Sequence, residues 1–174
     1  MNSEKLKQNL RAVPDFPVPG ILFWDITTLL KNPECLSDLD STLLEMYKGK
    51  GITKVVGIES RGFMLAPSLA IHLGAGFVPI RKPGKLPAET VSESYHKEYG
   101  MDTLQIHKDA IVPGDVVLIH DDVLATGGSA RAAIDLVRKF SPAKIYANFI
   151  IELEALHGRD KLPQDMDVQT LIVL

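Results

Sequence analysis

Short apolar runs rich in β-branched residues alternate with stretches of helical periodicity along most of the chain. Strands are predicted for the runs ITKVVGI, GFVPIRK, MDTLQIHK, DVVLIHD, AKIYANFIIEL and DVQTLIVL. Helices are predicted for GFMLAPSLAIHLG, bent or delayed by Pro67, and for GGSARAAIDLVRKF. Such an alternation is typical of a parallel sheet whose two faces are covered by helices. We therefore expect an α/β fold, a single domain with a central, mostly parallel sheet and helices on both faces.

The first part of the chain has a different pattern. Ser3 is expected to cap a short amphipathic helix, and Asn32 is expected to cap a longer helix with Pro33 at its first position. Between them, PDFPVPGILFWDITTLL is too rich in proline to begin as a helix. The aromatic side chains of this segment suit a cover over a ligand or an edge packed on the core.

Composition argues against several classes of protein. The formal net charge of -3 disfavours non-specific binding of nucleic acid, which needs a basic surface. One cysteine, Cys35, makes a disulfide within the chain impossible. The N-terminus lacks the apolar core of a signal peptide, and no stretch approaches the length of a membrane span. We expect a cytoplasmic protein that binds neither nucleic acid nor membranes.

The segment from Val116 to Ala130, VVLIHDDVLATGGSA, carries the most specific pattern. A buried strand is predicted to end at Asp121 and Asp122, after which a short loop opens a helix. Ligands of parallel sheets bind beyond the carboxyl ends of the strands, where this loop would lie. Two glycines let the backbone approach a ligand, and the helix N-terminus offers unpaired N–H groups to an anion. The predicted phosphate cradle consists of Ala125, Thr126, Gly127, Gly128 and Ser129.

The two adjacent acids suit a different part of a ligand. Asp121 and Asp122 repel each other, and ribose hydroxyl groups or a nearby Mg²⁺ would relieve that repulsion. A phosphate cradle beside paired acids is therefore interpreted as a pocket for ribose 5-phosphate. The alternative is an ordinary strand–turn–helix junction with a solvated acid pair. The segment fits neither the P-loop nor the dinucleotide-binding glycine pattern.

The histidines carry little chemical information. His120 lies inside the same motif, and we expect a hydrogen-bonded core residue there rather than a catalytic one. The remaining histidines do not show the spacing of zinc ligands.

The segment around the cradle resembles the motif with which type I phosphoribosyltransferases bind 5-phosphoribosyl-1-pyrophosphate (PRPP). Four further segments, in the same order along the chain, resemble the adenine phosphoribosyltransferases of that family: PDFPVPGILFWDIT, GIESRGF, PIRKPGKLP and SYHKEYG. This resemblance covers nearly the whole chain. It implies transfer of the phosphoribosyl group from PRPP to adenine in purine salvage, giving AMP and pyrophosphate. It also implies Mg²⁺ carried with PRPP, and a homodimer.

The same resemblance divides the chain into functional regions. One phosphoribosyltransferase domain would span residues 1–174, with a base-covering hood at 1–32 and a lid loop at 83–100. The base would be flanked by Leu22, Phe23 and Trp24. Trp24 stands where relatives are expected to carry arginine or another polar residue, so its indole would stack on the base or pack in the core.

Pyrophosphate would be bound by two loops and by the lid. The residues that the resemblance assigns to it are Glu59, Ser60, Arg61, Arg81, Lys85 and Tyr99. The Glu59–Ser60 peptide bond is expected to be able to adopt the cis form. Without the family context, Arg61 is also compatible with a solvated turn, and the cation cluster of Arg81, Lys82 and Lys85 is also compatible with a solvated face.

A long polar stretch from Pro83 to Gly100 interrupts the alternation of strands and helices. Connections longer than about 12–15 residues are usually functional or disordered, so we predict a mobile lid. A lid would exclude water from an oxocarbenium-like transition state, which the resemblance implies. By resemblance to the loop glutamate of the family, Glu98 is the candidate catalytic residue, exchanging a proton with N7 of adenine. The alternative is a surface hairpin with solvated acids.

Three other functions stay open at this stage. A phosphoribosyltransferase for hypoxanthine, guanine or xanthine would differ only in its base pocket. A PRPP-sensing regulatory protein is disfavoured because the chain has no appended helix-turn-helix segment and no basic stripe. A PRPP-synthesising enzyme is disfavoured by the short chain and by the lack of an evident ATP site.

Overall fold

The structure is a computed structural model that describes residues 3–96 and 100–174. The chain divides into two compact units, residues 1–46 and 47–174. Glu98 and Tyr99, two of the predicted site residues, lie outside the described residues. The interpretation of residues 1–174 as one domain with a hood and a lid stays a prediction.

The first unit contains two helices, a small antiparallel pair of strands and most of a third helix. Its elements are α1 (Ser3–Asn9), β1 (Arg11–Pro14), β2 (Leu22–Asp25), α2 (Thr27–Leu30) and α3 (Pro33–Tyr47). The side chain of Asn32 accepts hydrogen bonds from the N–H groups of Glu34 (3.0 Å) and Cys35 (3.3 Å), so the predicted cap of α3 is confirmed. The pairing of β1 with β2 was not predicted, since prolines interrupt the alternation of apolar residues between them.

The second unit is built on a five-stranded parallel sheet with strand order β4-β3-β7-β8-β9. The predicted α/β fold with a central parallel sheet is therefore confirmed. Its strands are β3 (Lys54–Ile58), β4 (Gly76–Ile80), β7 (Val116–Leu124), β8 (Lys144–Glu152) and β9 (Asp167–Val173). The helices that accompany the sheet are α4 (Ala66–Leu73) and α5 (Gly128–Arg138).

The central strands are almost entirely buried, which explains their continuous apolar runs. The core joins their side chains to α5 residues such as Ile134 and Val137. Pro67 lies in the first turn of α4, after a short 3-10 turn at Arg61–Phe63, so the predicted delay of this helix is confirmed. Among the described residues, no helix has both the length and the apolar character needed to cross a membrane.

An antiparallel hairpin lies between β4 and β7 in the chain. Its strands are β5 (Thr90–His96) and β6 (Met101–His107). The interpretation of residues 83–100 as a connection without secondary structure is thus wrong for residues 90–96, which form β5. Whether the stretch acts as a lid stays a prediction. Arg81 and Gln105 exchange backbone hydrogen bonds of 2.9 and 2.8 Å, which tie the hairpin to the segment after β4.

Candidate active site

The predicted phosphate cradle lies where β7 gives way to α5. The strand continues through both acids to Leu124, rather than ending at them as predicted. The loop 125–127 follows, and α5 begins at Gly128. Gly127 precedes the helix with a left-handed φ of +77°. Because this conformation is strained for residues with a Cβ atom, glycine suits this position.

A second glycine, which sequence reasoning did not identify, lies against this loop. A Cβ atom at Gly127 would stand 2.2 Å from the carbonyl oxygen of Gly158, and one at Gly158 would stand 2.0 Å from that of Ala125. The backbone that lies close to Gly127 is therefore that of Gly158 in the same chain. The only signal in the sequence is a glycine in a turn after β8, which by itself does not indicate this contact.

The paired acids lie at the end of β7 with little access to water. Asp122 is buried and Asp121 is half-buried, and Asp121 accepts a hydrogen bond of 2.9 Å from the N–H of Asp122. Burial and the negative charge of Asp122 raise the pKa of Asp121 well above its usual range. Burial also raises the pKa of Asp122. Both carboxylates would be stabilised in the ionised form by hydrogen-bond donors or by a cation.

The loop after β3 lies directly beside these acids. Nε of Arg61 is 2.7 Å from Oδ2 of Asp122. A Cβ atom at Gly62 would stand 2.6 Å from the carbonyl oxygen of His120, so the loop packs closely on β7. The Glu59–Ser60 peptide bond is cis, as predicted to be possible. The fold thus joins two predicted segments that are far apart in the sequence.

Glu59 makes contacts that the sequence did not predict. Its carboxylate accepts hydrogen bonds from the N–H of Lys82 (2.8 Å) and from Nε of Arg81 (3.2 Å). The hydrogen bond from Lys82, together with Arg81, lowers the pKa of Glu59. A carboxylate would repel pyrophosphate. Glu59 would therefore contribute to pyrophosphate binding by holding Arg81 in place.

The cations after β4 have different surroundings. Lys85 is exposed, and its carbonyl oxygen lies 3.5 Å from Nη1 of Arg81. Lys82 forms an ion pair with Asp102 on β6, and the Tyr95 hydroxyl donates to the same carboxylate at 3.2 Å. Arg81 is thus held by Glu59 of the loop after β3, whereas Lys82 is engaged with the hairpin. The part of Lys85 in binding pyrophosphate stays a prediction.

The hairpin lies against α5, next to the cradle. A Cβ atom at Gly128 would stand 3.2 Å from Cδ2 of Tyr95. Nζ of Lys139 near the end of α5 donates to the carbonyl oxygen of Ser92 and pairs with Glu93, both at 2.6 Å. The hairpin is thus anchored beside the helix whose N-terminus lies in the predicted cradle.

The predicted base-binding residues lie on β2 in the first unit. Leu22 is exposed, Trp24 is half-buried, and the ring of Phe23 meets that of Phe16 edge to face at 5.1 Å. Trp24 is paired with Ala12 of β1 in the register of the two strands. The contribution of these residues to base binding stays a prediction.

His120 is a core residue, as expected. It is buried, and its Nδ1 lies 3.0 Å from the side-chain oxygen of Asn148 on β8. Burial lowers the pKa of His120 to about 4. Its ring is therefore neutral near pH 7.

Among residues 3–96 and 100–174, no three acidic, histidine or cysteine side chains form a cluster that could hold a metal ion.

Comparison with known proteins places this site in a family. The model of the phosphoribosyl transferase domain matches residues 25–171. The chain belongs to the phosphoribosyltransferase family. It is 64% identical to the adenine phosphoribosyltransferase of Phocaeicola vulgatus over 174 residues, all of both chains. The corresponding identity with the enzyme of Bacteroides thetaiotaomicron is 60%, over 100% of this chain and 99% of the relative.

Solved structures extend the likeness to the fold. The crystal structure of adenine phosphoribosyltransferase from Rhodothermus marinus has a TM-score of 0.94 at 56% identity, covering 99% of this chain and 98% of that one. The enzyme from Saccharomyces cerevisiae, complexed with an imino-altritol bisphosphate and adenine, has a TM-score of 0.90 at 44% identity, with 97% of each chain covered. Within the family, the chain thus groups with the adenine phosphoribosyltransferases.

Proposed function

We propose that the chain transfers the phosphoribosyl group of PRPP to adenine, giving AMP and pyrophosphate, with the cradle, the acid pair and the cation loops binding PRPP. The observation that carries this proposal is the ion pair of 2.7 Å between Arg61 and Asp122. It joins the loop suited to pyrophosphate with the strand end suited to ribose. Adenine as the base follows from the full-length relatives.

The 5′-phosphate of PRPP would bind the cradle from Ala125 to Ser129. The N-terminus of α5 supplies N–H groups and the positive end of a helix dipole. The hydroxyl groups of Thr126 and Ser129 add donors. Ribose hydroxyl groups would donate to Asp121 and Asp122, which offsets the burial that raises their pKa values.

Pyrophosphate would leave towards the positively charged loops. Arg61 lies beside the acids, Ser60 precedes it in the same loop, and Arg81 is held by Glu59 at 3.2 Å. Fixed cations stabilise the charge that develops on the departing pyrophosphate as the anomeric C–O bond breaks. The acid pair also suits a site beside Mg²⁺ carried with PRPP, because the two carboxylates would offset the charge of the ion. When bound, Mg²⁺ would supply Lewis-acid stabilisation of the pyrophosphate oxygens.

The remaining tasks are to place the base and to exclude water. Leu22, Phe23 and Trp24 are proposed to flank adenine. Glu98 is proposed to exchange a proton with N7 of adenine while N9 attacks, and Tyr99 to close on the pyrophosphate side. Burial of the reacting atoms under a closed hairpin would protect the oxocarbenium-like centre from water.

The test is a panel of bases. Adenine, guanine, hypoxanthine and xanthine are each incubated with PRPP and Mg²⁺, and nucleotide products are separated by chromatography. We expect AMP as the main product, with activity lost when Mg²⁺ is chelated by EDTA. Formation of only IMP, GMP or XMP would contradict adenine as the substrate while keeping the reaction class. Absence of any PRPP-dependent nucleotide would contradict the proposed enzyme.

A further inference from the structure

The turn after β8 forms a wall behind the phosphate cradle. Gly158 contacts the cradle backbone so closely that a Cβ atom there would stand 2.0 Å from the carbonyl oxygen of Ala125 and 2.8 Å from the nitrogen of Gly127. Leu153 at the start of this turn donates its N–H to the carbonyl oxygen of Leu124 at 2.9 Å. Backbones in such contact move together, so the position of Gly158 determines that of the loop 125–127.

The next residue, Arg159, holds this turn to the sheet. Its Nε and Nη2 donate to the two carboxylate oxygens of Glu152 at 2.8 and 2.5 Å. Nη1 donates to the carbonyl oxygen of Val168 at 2.9 Å, and the Thr170 hydroxyl donates to Glu152 at 3.0 Å. One guanidinium group therefore joins the end of β8 to β9 through a two-pronged contact, for which arginine is suited.

This cluster differs from an ordinary surface ion pair. The Glu152 side chain is 11% exposed, so water screens the pair less than it screens exposed charges. The hydrogen bond from Arg159 lowers the pKa of Glu152. Arg159 directly follows Gly158 in the chain. The contacts that hold Arg159 therefore also hold Gly158 in place.

We propose that Arg159 is a positioning residue for the 5′-phosphate of PRPP and AMP, acting through Gly158 on the loop 125–127. The inference rests on the proposed role of this loop as the phosphate cradle. Without the contact to Glu152, Gly158 is free to move away, and the N–H groups of the loop lose the geometry that an anion needs. The pyrophosphate loop at Ser60 and Arg61 is on a different element and is unaffected.

The experiment compares Arg159→Gln and Arg159→Lys with the parent chain and with Arg138→Gln. Arg138 is a matched control because its side chain is 41% exposed, against 42% for Arg159, and it also forms an ion pair with an acid, Asp165. We expect both Arg159 variants to raise the KM for PRPP by about 10- to 100-fold, as loss of a supporting contact does at other sites. The KM for adenine should stay unchanged, and Arg159→Lys should not restore binding because an ammonium group cannot make the two-pronged contact.

Calorimetry with ribose 5-phosphate separates this inference from the proposed function. A parent chain that makes AMP but does not bind ribose 5-phosphate contradicts the cradle, and with it the role of Arg159. If Arg159→Gln binds ribose 5-phosphate as tightly as the parent chain does, the role of Arg159 is contradicted and the cradle is not. A lower melting temperature with the KM for PRPP unchanged shows that Arg159 is only structural.

Thr170→Val keeps the inference testable if the Arg159 variants do not fold. This substitution removes the hydroxyl group that donates to Glu152 and lies 3.4 Å from Nη2 of Arg159. We expect a smaller rise in the KM for PRPP, again with the KM for adenine unchanged. An unchanged KM for PRPP in this variant would overturn the inference.

Discussion

Gly127 requires glycine for two reasons that come from different parts of the chain. Its φ of +77° is a local property of the loop before α5, and the sequence TGG indicates such a loop. The contact with Gly158 depends on the fold, because a turn after β8 must return to the end of β7. Sequence reasoning therefore found the first glycine and missed the second.

The contacts of the charged residues likewise divide into those that are local in the sequence and those that depend on the fold. The acid pair and the cradle are one short segment, so their proximity could be predicted from the sequence. The ion pair between Arg61 and Asp122 joins neighbouring parallel strands, and the sequence indicated only that both lie at the same edge of the sheet. The contact of Glu59 with Arg81 joins the loop after β3 to the segment after β4, and no local pattern in the sequence indicates it.

His120 should make the folded chain sensitive to acid. The unfolded chain binds a proton near the ordinary histidine pKa of 6.5, whereas burial lowers the pKa in the folded chain to about 4. The unfolded state therefore binds more protons between these values, and stability falls as the pH falls through this window. At about 1.4 kcal/mol per pKa unit, the loss of unfolding free energy approaches about 3 kcal/mol.

The measurement is urea denaturation of the parent and of His120→Leu from pH 4 to pH 7. The variant leaves Asn148 without its 3.0 Å partner, which gives an offset that does not depend on pH. Asp121 and Asp122 titrate in both proteins, so the pH dependence of the difference reports mainly on His120. A difference that is constant over this range would show that His120 does not titrate as expected.

At the scale of elements, burial decides which parts of the fold are visible in the sequence. The central strands β3, β7 and β8 are almost entirely buried, the outer strands β4 and β9 are partly buried, and each could be predicted as an apolar run. Strand β5, TVSESYH, has no apolar face of this kind. It is held by pairing with β6 and by the contact of Ser92 and Glu93 with Lys139 just after α5, and its own pattern indicates neither contact.

Glu98, the predicted catalytic residue, can be tested by substitution. Glu98 lies between β5 and β6 in the sequence and outside the described residues. If Glu98 exchanges a proton with adenine, Glu98→Gln should lower kcat by roughly 10²- to 10⁴-fold. The affinity for PRPP should change little, since the cradle is on other elements. Steady-state kinetics with varied PRPP and adenine measures both quantities.

A suitable control must be an acid of the same segment that holds nothing in place. Glu93 is unsuitable because its ion pair with Lys139 anchors the hairpin at 2.6 Å. Glu89 is better, since both it and its partner Lys108 are exposed, and exposed pairs contribute little. Equal kcat values for Glu98→Gln and Glu89→Gln would show that Glu98 has no catalytic role.

At the scale of the whole molecule, three large apolar side chains within residues 64–77 of the second unit face solvent. Met64, Ile71 and Phe77 are 45%, 77% and 37% exposed, and they come from the short segment that leads through α4 into β4. Strand β4 lies at one end of the sheet order, so this region borders an edge of the sheet. Exposed apolar regions at a sheet edge commonly mark interfaces between chains.

We expect this region to be the interface of the homodimer that the family resemblance implied. The mass in solution should be twice the 19.1 kDa of the chain, as measured by size-exclusion chromatography with light scattering. Ile71→Glu places a charged side chain where the proposed dimer interface would bury it. The substitution should therefore shift the protein towards the monomer. The control is Val112→Glu, because Val112 is 55% exposed in a turn between β6 and β7, outside this region. A monomeric parent would contradict the dimer, and a dimeric Ile71→Glu variant would exclude this region as its interface.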